Sequence, residues 1–326
     1  MFLAGDIGGT KSRLAIFAEG MGIRAPLKEE VLPSGRFSGI EALIGEFLKR
    51  SGLSADRACL AVAGPVIDGR AAVTNLPWIA DADAIRRTFG FRSVRLLNDV
   101  AATARAVPLL ESIELHTLTP GEPAAGGAIA VIALGTGLGE AFLTWDGVRY
   151  REYASEGGHA DFAPGNLLEM DLLRELWRGA DQVSYEAVCS GPGLGRIYRF
   201  LRERGEAKEP PWLAVRLAEA ADPAPIIVEA ALTEKDDLSI RAVRLFVSIL
   251  GAEAGNLALK TLAAGGVYLG GGIAPRIIPF LEERIFLTAF RRKGRMADLL
   301  SRIPVHVIIE PRAALIGAAD LGLADA

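Results

Sequence analysis

Two glycine loops and one Asn-Asp pair hold most of the chemistry available to this chain of 326 residues. Gly5-Asp6-Ile7-Gly8-Gly9-Thr10 follows the apolar run 2–4, and Gly135-Thr136-Gly137 follows the apolar run 128–134. Glycine directly after a strand marks a backbone that turns sharply or lets a ligand come close. The first loop nearly matches a P-loop, Gly5-x-x-x-x-Thr10-Lys11-Ser12, but has Thr10 where that motif carries the Gly that leads into a helix. Residues 12–18 alternate as a strand, so the expectation is a β-hairpin phosphate loop. Backbone N–H groups of Gly8, Gly9 and Thr10 would surround phosphate oxygens, with the Thr10 hydroxyl as a further donor. Asp6 would then face a divalent cation, directly or through water, because phosphates need a counter-cation. An ordinary glycine-rich hairpin is the alternative, weakened by the second loop in a matching strand–turn–strand setting. No complete Gly-x-Gly-x-x-Gly is present, which disfavours a Rossmann dehydrogenase.

Asn98 and Asp99 follow the apolar run 94–97 and precede the helix-like 100–106. A carboxylate at a strand end suits a general base; the alternative is that Asp99 merely caps the helix. Glu156 and His159 stand three apart around Gly157-Gly158. They could form a metal pair, but only three His exist, and His116 and His306 lie in unrelated contexts.

The elements that must position these groups alternate in type. Residues 40–50 are apolar at helical spacing and stop near Gly52; Asp81 or Asp83 can cap 84–89, which Gly90 closes. The longest expected helix, 238–264, carries Ile240, Val243, Val247, Leu250, Ala254 and Leu257 on one stripe. The strand 267–269 and Gly270-Gly271-Gly272 follow at once. Strands alternating with helices predict an α/β fold. Residues 3–17 and 129–143 share the strand, glycine turn, strand pattern, which points to two related lobes facing a cleft. The Pro-rich stretch 107–123 is the best boundary, and the charged 202–211 reads as a surface excursion.

Composition narrows the function classes. With 36 Lys and Arg against 40 Asp and Glu the net charge is −4, and the pI is 5.6. This gives no electrostatic footprint for nucleic acid or an anionic membrane. Cys59 and Cys189 are the only cysteines, too few for a disulfide scaffold. The N-terminal residues lack a basic region, and Asp6 interrupts the apolar run, so no signal peptide is expected. The longest uncharged stretch, 123–139, is shorter than the roughly 20 residues of a membrane span. A soluble cytoplasmic protein is the expectation.

Taken together, Gly5-Asp-Ile-Gly-Gly-Thr10, Leu97-Asn-Asp99, Gly135-Thr-Gly137, Glu156-Gly-Gly-His-Ala-Asp-Phe-Ala-Pro164, Ser190-Gly-Pro-Gly-Leu194 and Gly270-Gly-Gly-Ile-Ala-Pro275 resemble the bacterial glucokinase family, within the hexokinase, actin and Hsp70 superfamily. The resemblance runs in order over nearly the whole chain. It implies a two-lobed actin-like (ribonuclease H-like) ATPase fold, each lobe a β-sheet with flanking helices. The small lobe would be 1–107, joined by a C-terminal helix at 312–326, and the large lobe 108–311. ATP with Mg2+ would lie between the lobes and the sugar deeper.

By this resemblance Asp99 is the general base and Asn98 holds a neighbouring hydroxyl, while Glu156, His159 and Glu186 bind sugar hydroxyls. Glu186 sits on 184–189, which reads as a plain helical stretch, and a solvated face is its alternative. Asp161 either orients His159 or is structural, and Asn75 is either a further contact or a turn residue. Gly271 and Gly272 resemble the adenosine-side loop. The related repressor and kinase branch often carries a Cys-x-Cys-Gly-x-x-Gly-Cys cluster; its absence here predicts no structural zinc. No N-terminal helix-turn-helix extension precedes Gly5, so a repressor role is not expected. A homodimer is the family's habit. The activity implied is phosphorylation of glucose at the 6-hydroxyl. A kinase for another hexose or an amino sugar, and a non-catalytic sugar sensor, are the rivals; ADP or polyphosphate as donor stays open.

Overall fold

A computed structural model describes residues 1–18 and 20–324. Its strands, in chain order, are β1 (Phe2–Ile7), β2 (Lys11–Phe17), β3 (Lys28–Pro33), β4 (Arg57–Val62), β5 (Arg70–Ala72), β6 (Ile79–Asp81), β7 (Ser93–Asn98), β8 (Leu115–Thr119), β9 (Ile129–Leu134), β10 (Leu138–Trp145), β11 (Tyr150–Ser155), β12 (Gly266–Gly270) and β13 (Val305–Ile308). They form a five-stranded sheet in the order β3-β2-β1-β4-β7, a six-stranded sheet in the order β11-β10-β9-β12-β13-β8, and the small hairpin β5-β6. The chain divides into two compact units. One comprises Met1–Glu111, Ala141–Ala154 and Glu310–Ala326; the other comprises Ser112–Glu140 and Ser155–Ile309.

In the first unit β1 is buried on both faces because its alternate side chains serve two cores. Leu3 and Ile7 join Ile40, Leu43, Ile44 and Phe47 on one side. Phe2 and Ala4 join Leu315, Ala318, Ala319 and Leu321 on the other. The helix Ile40–Ser51 presents its apolar residues at the i, i+3, i+4, i+7 spacing and ends where Gly52 adopts φ 65°. Fully burying a side chain such as Phe47 contributes about 1.5–3 kcal/mol. The helix Ala313–Ala324 covers the opposite face. The last two residues of the expected 312–326 helix lie outside the described residues. Asp81, not Asp83, caps the helix Ala82–Phe89 by accepting from the Ala84 amide at 3.0 Å.

The second unit is organised around the helix Asp237–Thr261, whose side chains contribute heavily to a large apolar core. It is long and apolar enough to cross a membrane by length and composition, but most of it is buried within the protein. The helix stops three residues earlier than the sequence predicts. Leu262 takes φ 49°, and the Ala263 amide turns back to the Ala258 carbonyl, so the chain can drop into β12.

Candidate functional site

In the first unit the parallel strands β1, β4 and β7 end level with one another. Ile7 pairs with Val62, and Val62 with Asn98. The Gly8–Thr10 turn, the Ala63-Gly64 turn and the Asn98-Asp99 pair therefore leave the same sheet edge, at the carboxyl ends of the strands. In open α/β sheets that edge is where ligands bind.

The first glycine loop joins antiparallel β1 and β2, as a hairpin phosphate loop requires. Its internal bonding corrects one detail of the sequence reading. The Gly8 amide donates to the Lys11 carbonyl at 3.2 Å and is committed to the hairpin, so Gly9 and Thr10 are the amides the turn can offer to phosphate. Two buried serines that sequence reasoning missed brace the loop. Ser34 Oγ donates to the Gly8 carbonyl at 2.7 Å and lies 2.9 Å from Ser12 Oγ, and the Ser34 amide donates to the Thr10 carbonyl at 3.1 Å. No spacing rule connects Ser12 with Ser34, so the sequence carried no signal for this bracing.

Asp6 lies opposite Arg13 across the hairpin. Burial pushes its carboxyl from 3.8 up to about 6, with the Arg13 guanidinium acting against the rise. Arg13 is also paired with Glu29. Asn75 has φ 63°, the left-handed conformation that Asn tolerates in tight turns.

Asn98 is the residue that caps the helix Asp99–Ala106. Its Oδ1 accepts from the Val100 amide at 2.9 Å and from the Ala101 amide at 3.0 Å, while its Nδ2 donates to the Gly64 carbonyl at 3.2 Å. Those three bonds fix which way the amide points. Asp99 opens the helix and its Oδ1 accepts from its neighbour's amide, Val100, at 3.0 Å. The far end of the helix is held by Arg105, another residue the sequence did not single out. Its Nε donates to Asp320 at 2.7 Å and its Nη1 to Glu152 at 3.0 Å, with only 10% of the side chain exposed.

The second unit repeats the strand-end arrangement. Gly270 of β12 pairs with Ala133 of β9, so the Gly135-Thr136-Gly137 loop and Gly271-Gly272 leave adjacent parallel strands at one edge. Gly271 takes φ 81°. The Gly135 carbonyl accepts from the Gly191 amide at 2.9 Å, at the start of the helix Gly191–Glu203, which Ser190 caps.

Glu186 and the Glu156–His159 segment meet at the start of β10. Glu186 Oε2 accepts from the Leu138 amide at 3.0 Å, and a Cβ on Gly137 would lie 2.5 Å from that oxygen. The Glu186 amide donates to the Gly158 carbonyl at 2.8 Å. Residues 184–189 are a turn, not the helix expected. The Tyr185 and Glu186 amides donate to the Ala160 and Gly158 carbonyls, which fastens this turn to the neighbouring segment. Gly157–His159 is a single 3₁₀ turn, and His159 Nε2 stands 4.0 Å from Glu156 Oε2, both side chains well exposed. Asp161 does not reach the imidazole in these contacts; its Oδ1 accepts from Gln182 Nε2 at 2.6 Å, and Gln182 also donates to the His159 carbonyl.

Among the described residues no three or more His, Cys, Asp and Glu side chains gather as a metal cage would. A partly buried carboxyl such as Asp6, beside a glycine turn, would suit a different donor set: Mg2+ keeps several waters and takes one or two carboxylates together with substrate phosphates.

A family model described as Glucokinase matches residues 3–324. The chain belongs to the glucokinase family. It is 41% identical over 334 residues to a glucokinase of Nostoc punctiforme, covering 98% of each chain. The crystal structure of a glucokinase from an Antarctic psychrotroph superposes with a TM-score of 0.83 at 32% identity, covering 100% of this chain and 99% of the other. A glucokinase of the ROK family from Streptomyces griseus, solved with glucose and AMPPNP, shares the fold at a TM-score of 0.66 and 22% identity, covering 98% of each. This member of the glucokinase family has the actin-like ATPase fold, with mixed sheets and flanking helices.

Proposed function

We infer that this chain transfers the γ-phosphoryl group of ATP to the 6-hydroxyl of glucose. The observation that carries the inference is the near full-length match, at about 40% identity, to proteins named glucokinase. The level register of Ile7 and Asn98 supports it, since a phosphate loop and a carboxylate then share one sheet edge.

In the reaction proposed, Asp99 accepts the proton of the 6-hydroxyl as that oxygen bonds to the γ-phosphorus and ADP leaves. Asn98 holds a neighbouring hydroxyl, and Glu156, His159 and Glu186 bind others. The amides of Gly9 and Thr10, with Gly5, Asp6, Ile7 and Gly8 shaping the turn, hold phosphate oxygens. Gly135, Thr136 and Gly137 form the second phosphate contact, and Gly271 and Gly272 border the adenosine. Mg2+, held through water by Asp6, would neutralise charge on the phosphates. The same reading includes a homodimer and a cytoplasmic location.

The experiment is a coupled assay over glucose, mannose, 2-deoxyglucose and N-acetylglucosamine, on the wild type and on His159→Ala. An analogue that leaves one polar group unpaired costs about 1–3 kcal/mol, or roughly 5- to 150-fold in kcat/KM. Glucose should lead, and His159→Ala should narrow the preference while the KM for ATP holds. A clear preference for N-acetylglucosamine, or a His159→Ala effect confined to ATP, contradicts the reading.

A further inference from the structure

Beneath the Glu156–His159 turn lies a carboxyl group that the reaction described above does not use. Glu140, on β10, is 1% exposed, and Glu253, on the helix Asp237–Thr261, is fully buried. The two side chains face each other. Each has one buried oxygen, Oε1 in both cases, without a hydrogen-bond partner. Glu253 has cationic and amide neighbours of its own: Asn256 Nδ2 donates to its Oε2 at 2.8 Å, and Lys260 Nζ lies 3.5 Å from its Oε1 as an ion pair. Among the described residues no cation forms an ion pair with Glu140, and Lys260 acts on it only at longer range. A proton on Glu140 lets the two carboxyls hydrogen-bond to one another, which two ionised carboxylates cannot do.

The other oxygen of Glu140 presses on the turn. A Cβ on Gly157 would overlap Glu140 Oε2, so the carboxyl sits against the Gly157 backbone with no side chain between. The next residue, Gly158, is equally close to the Leu138 carbonyl, two residues before Glu140 on the same strand. β10 thus supports the turn at two successive glycines.

We propose that Glu140, protonated and bonded to Glu253, is a positioning residue that sets the geometry of the Glu156-Gly157-Gly158-His159 turn. That this turn handles sugar rests on the function inferred above; that Glu140 supports it does not.

The electrostatics agree with the geometry. Desolvation first, and then the charge of Glu253, push the Glu140 carboxyl from 4.5 up to about 8, with Lys260 acting against the rise. The other titratable groups around the pair are Tyr185, Cys189, Glu169 and Lys293. Burial pushes Tyr185 and Cys189 well up, so both stay neutral, and pulls Lys293 down while its Nζ donates to the Ala252 carbonyl and Asn256 Oδ1. As the pH rises through about 8 Glu140 ionises beside Glu253, and the repulsion acts directly under Gly157.

The test follows the backbone amide signals of Gly157, Gly158 and Ala160 by NMR from pH 6 to 9.5, in the wild type, Glu140→Gln and Glu253→Gln. Glutamine keeps the volume, a donor at position 140 and an acceptor oxygen at position 253, so both variants should fold. The wild type should show an inflection near pH 8 in the Gly157 signal, and Glu140→Gln should lack it while keeping the wild-type shift at pH 6.5. Glu253→Gln should move the inflection to lower pH. The KM for glucose of the wild type should rise at least fivefold above the inflection, with that of Glu140→Gln flat and the KM for ATP unchanged in both. No inflection in the wild type, or one that persists in Glu140→Gln, overturns the proposal. If His159→Ala leaves the KM for glucose unchanged, the assignment of the turn to sugar fails, and the amide titration still decides whether Glu140 positions the turn.

Discussion

Glu186 Oε2 accepts the Leu138 amide at 3.0 Å, which ties a residue assigned to sugar binding to the strand that leaves the second glycine loop. Removing the carboxyl orphans a part-buried N–H, at a cost of about 1–3 kcal/mol. Glu186→Ala should therefore lower kcat/KM for glucose roughly 5- to 150-fold and also raise the KM for ATP, because Leu138 directly follows Gly137. Glu186→Gln retains an acceptor oxygen and should recover the ATP term but only part of the glucose term. Steady-state kinetics varying each substrate in turn would measure both. An ATP term equally damaged in the glutamine and alanine variants would contradict the coupling.

Asn98 does two jobs that substitution can separate. Its Oδ1 caps a helix, and its Nδ2 donates to Gly64. Asn98→Ala loses the cap and should destabilise the protein by about 1 kcal/mol, within the usual range of about 0.5–2 kcal/mol. Asn98→Asp keeps an acceptor at the cap and should stay close to wild-type stability, yet lose glucose turnover as fully as the alanine variant. Thermal unfolding beside the coupled assay would separate the two roles. Equal destabilisation in both variants would show that the Gly64 bond, and not the cap, carries the stability.

Asp6 should make the protein less stable as it ionises. Its carboxyl binds a proton more tightly in the folded chain, at about 6, than at its ordinary 3.8. Stability is therefore lost as pH rises through the interval between those values, and the cost is fully present above about 6. A difference of about 2 units corresponds to roughly 3 kcal/mol at most. Asp6→Asn should unfold at a higher temperature than the wild type at pH 7.5, lose that advantage near pH 4, and phosphorylate glucose poorly at any Mg2+ concentration. Matching pH–stability curves for the two proteins would mean that Asp6 is not desolvated.

Much of this was legible in the sequence because the signals are local. Gly52 and Gly90 both end helices in the left-handed conformation, and the alternation after Thr10 marked β2. The strand-end position of Asn98 was equally visible, since Val94, Leu96 and Leu97 lead up to it as a strand. What stayed hidden depends on partners distant in sequence. Residues 184–189 look helical by local pattern, and no local rule reveals that the Tyr185 and Glu186 amides will fasten the segment to Ala160 and Gly158. Ser12 with Ser34, Arg105 with Asp320, and Glu140 with Glu253 are likewise made adjacent only by the fold. The grouping of Ala141–Ala154 with the first unit has no compositional mark either.

The most direct measurement of the central claim is kcat of Asp99→Asn with glucose and ATP, taken with glucose affinity and thermal stability. Asparagine keeps an acceptor for the Val100 amide, so the fold should hold. With the general base gone, kcat should fall by about 10²–10⁴ while glucose still binds within a few-fold of the wild type. Wild-type turnover in a correctly folded Asp99→Asn protein would contradict the account, because the proton of the 6-hydroxyl would then be leaving by another route.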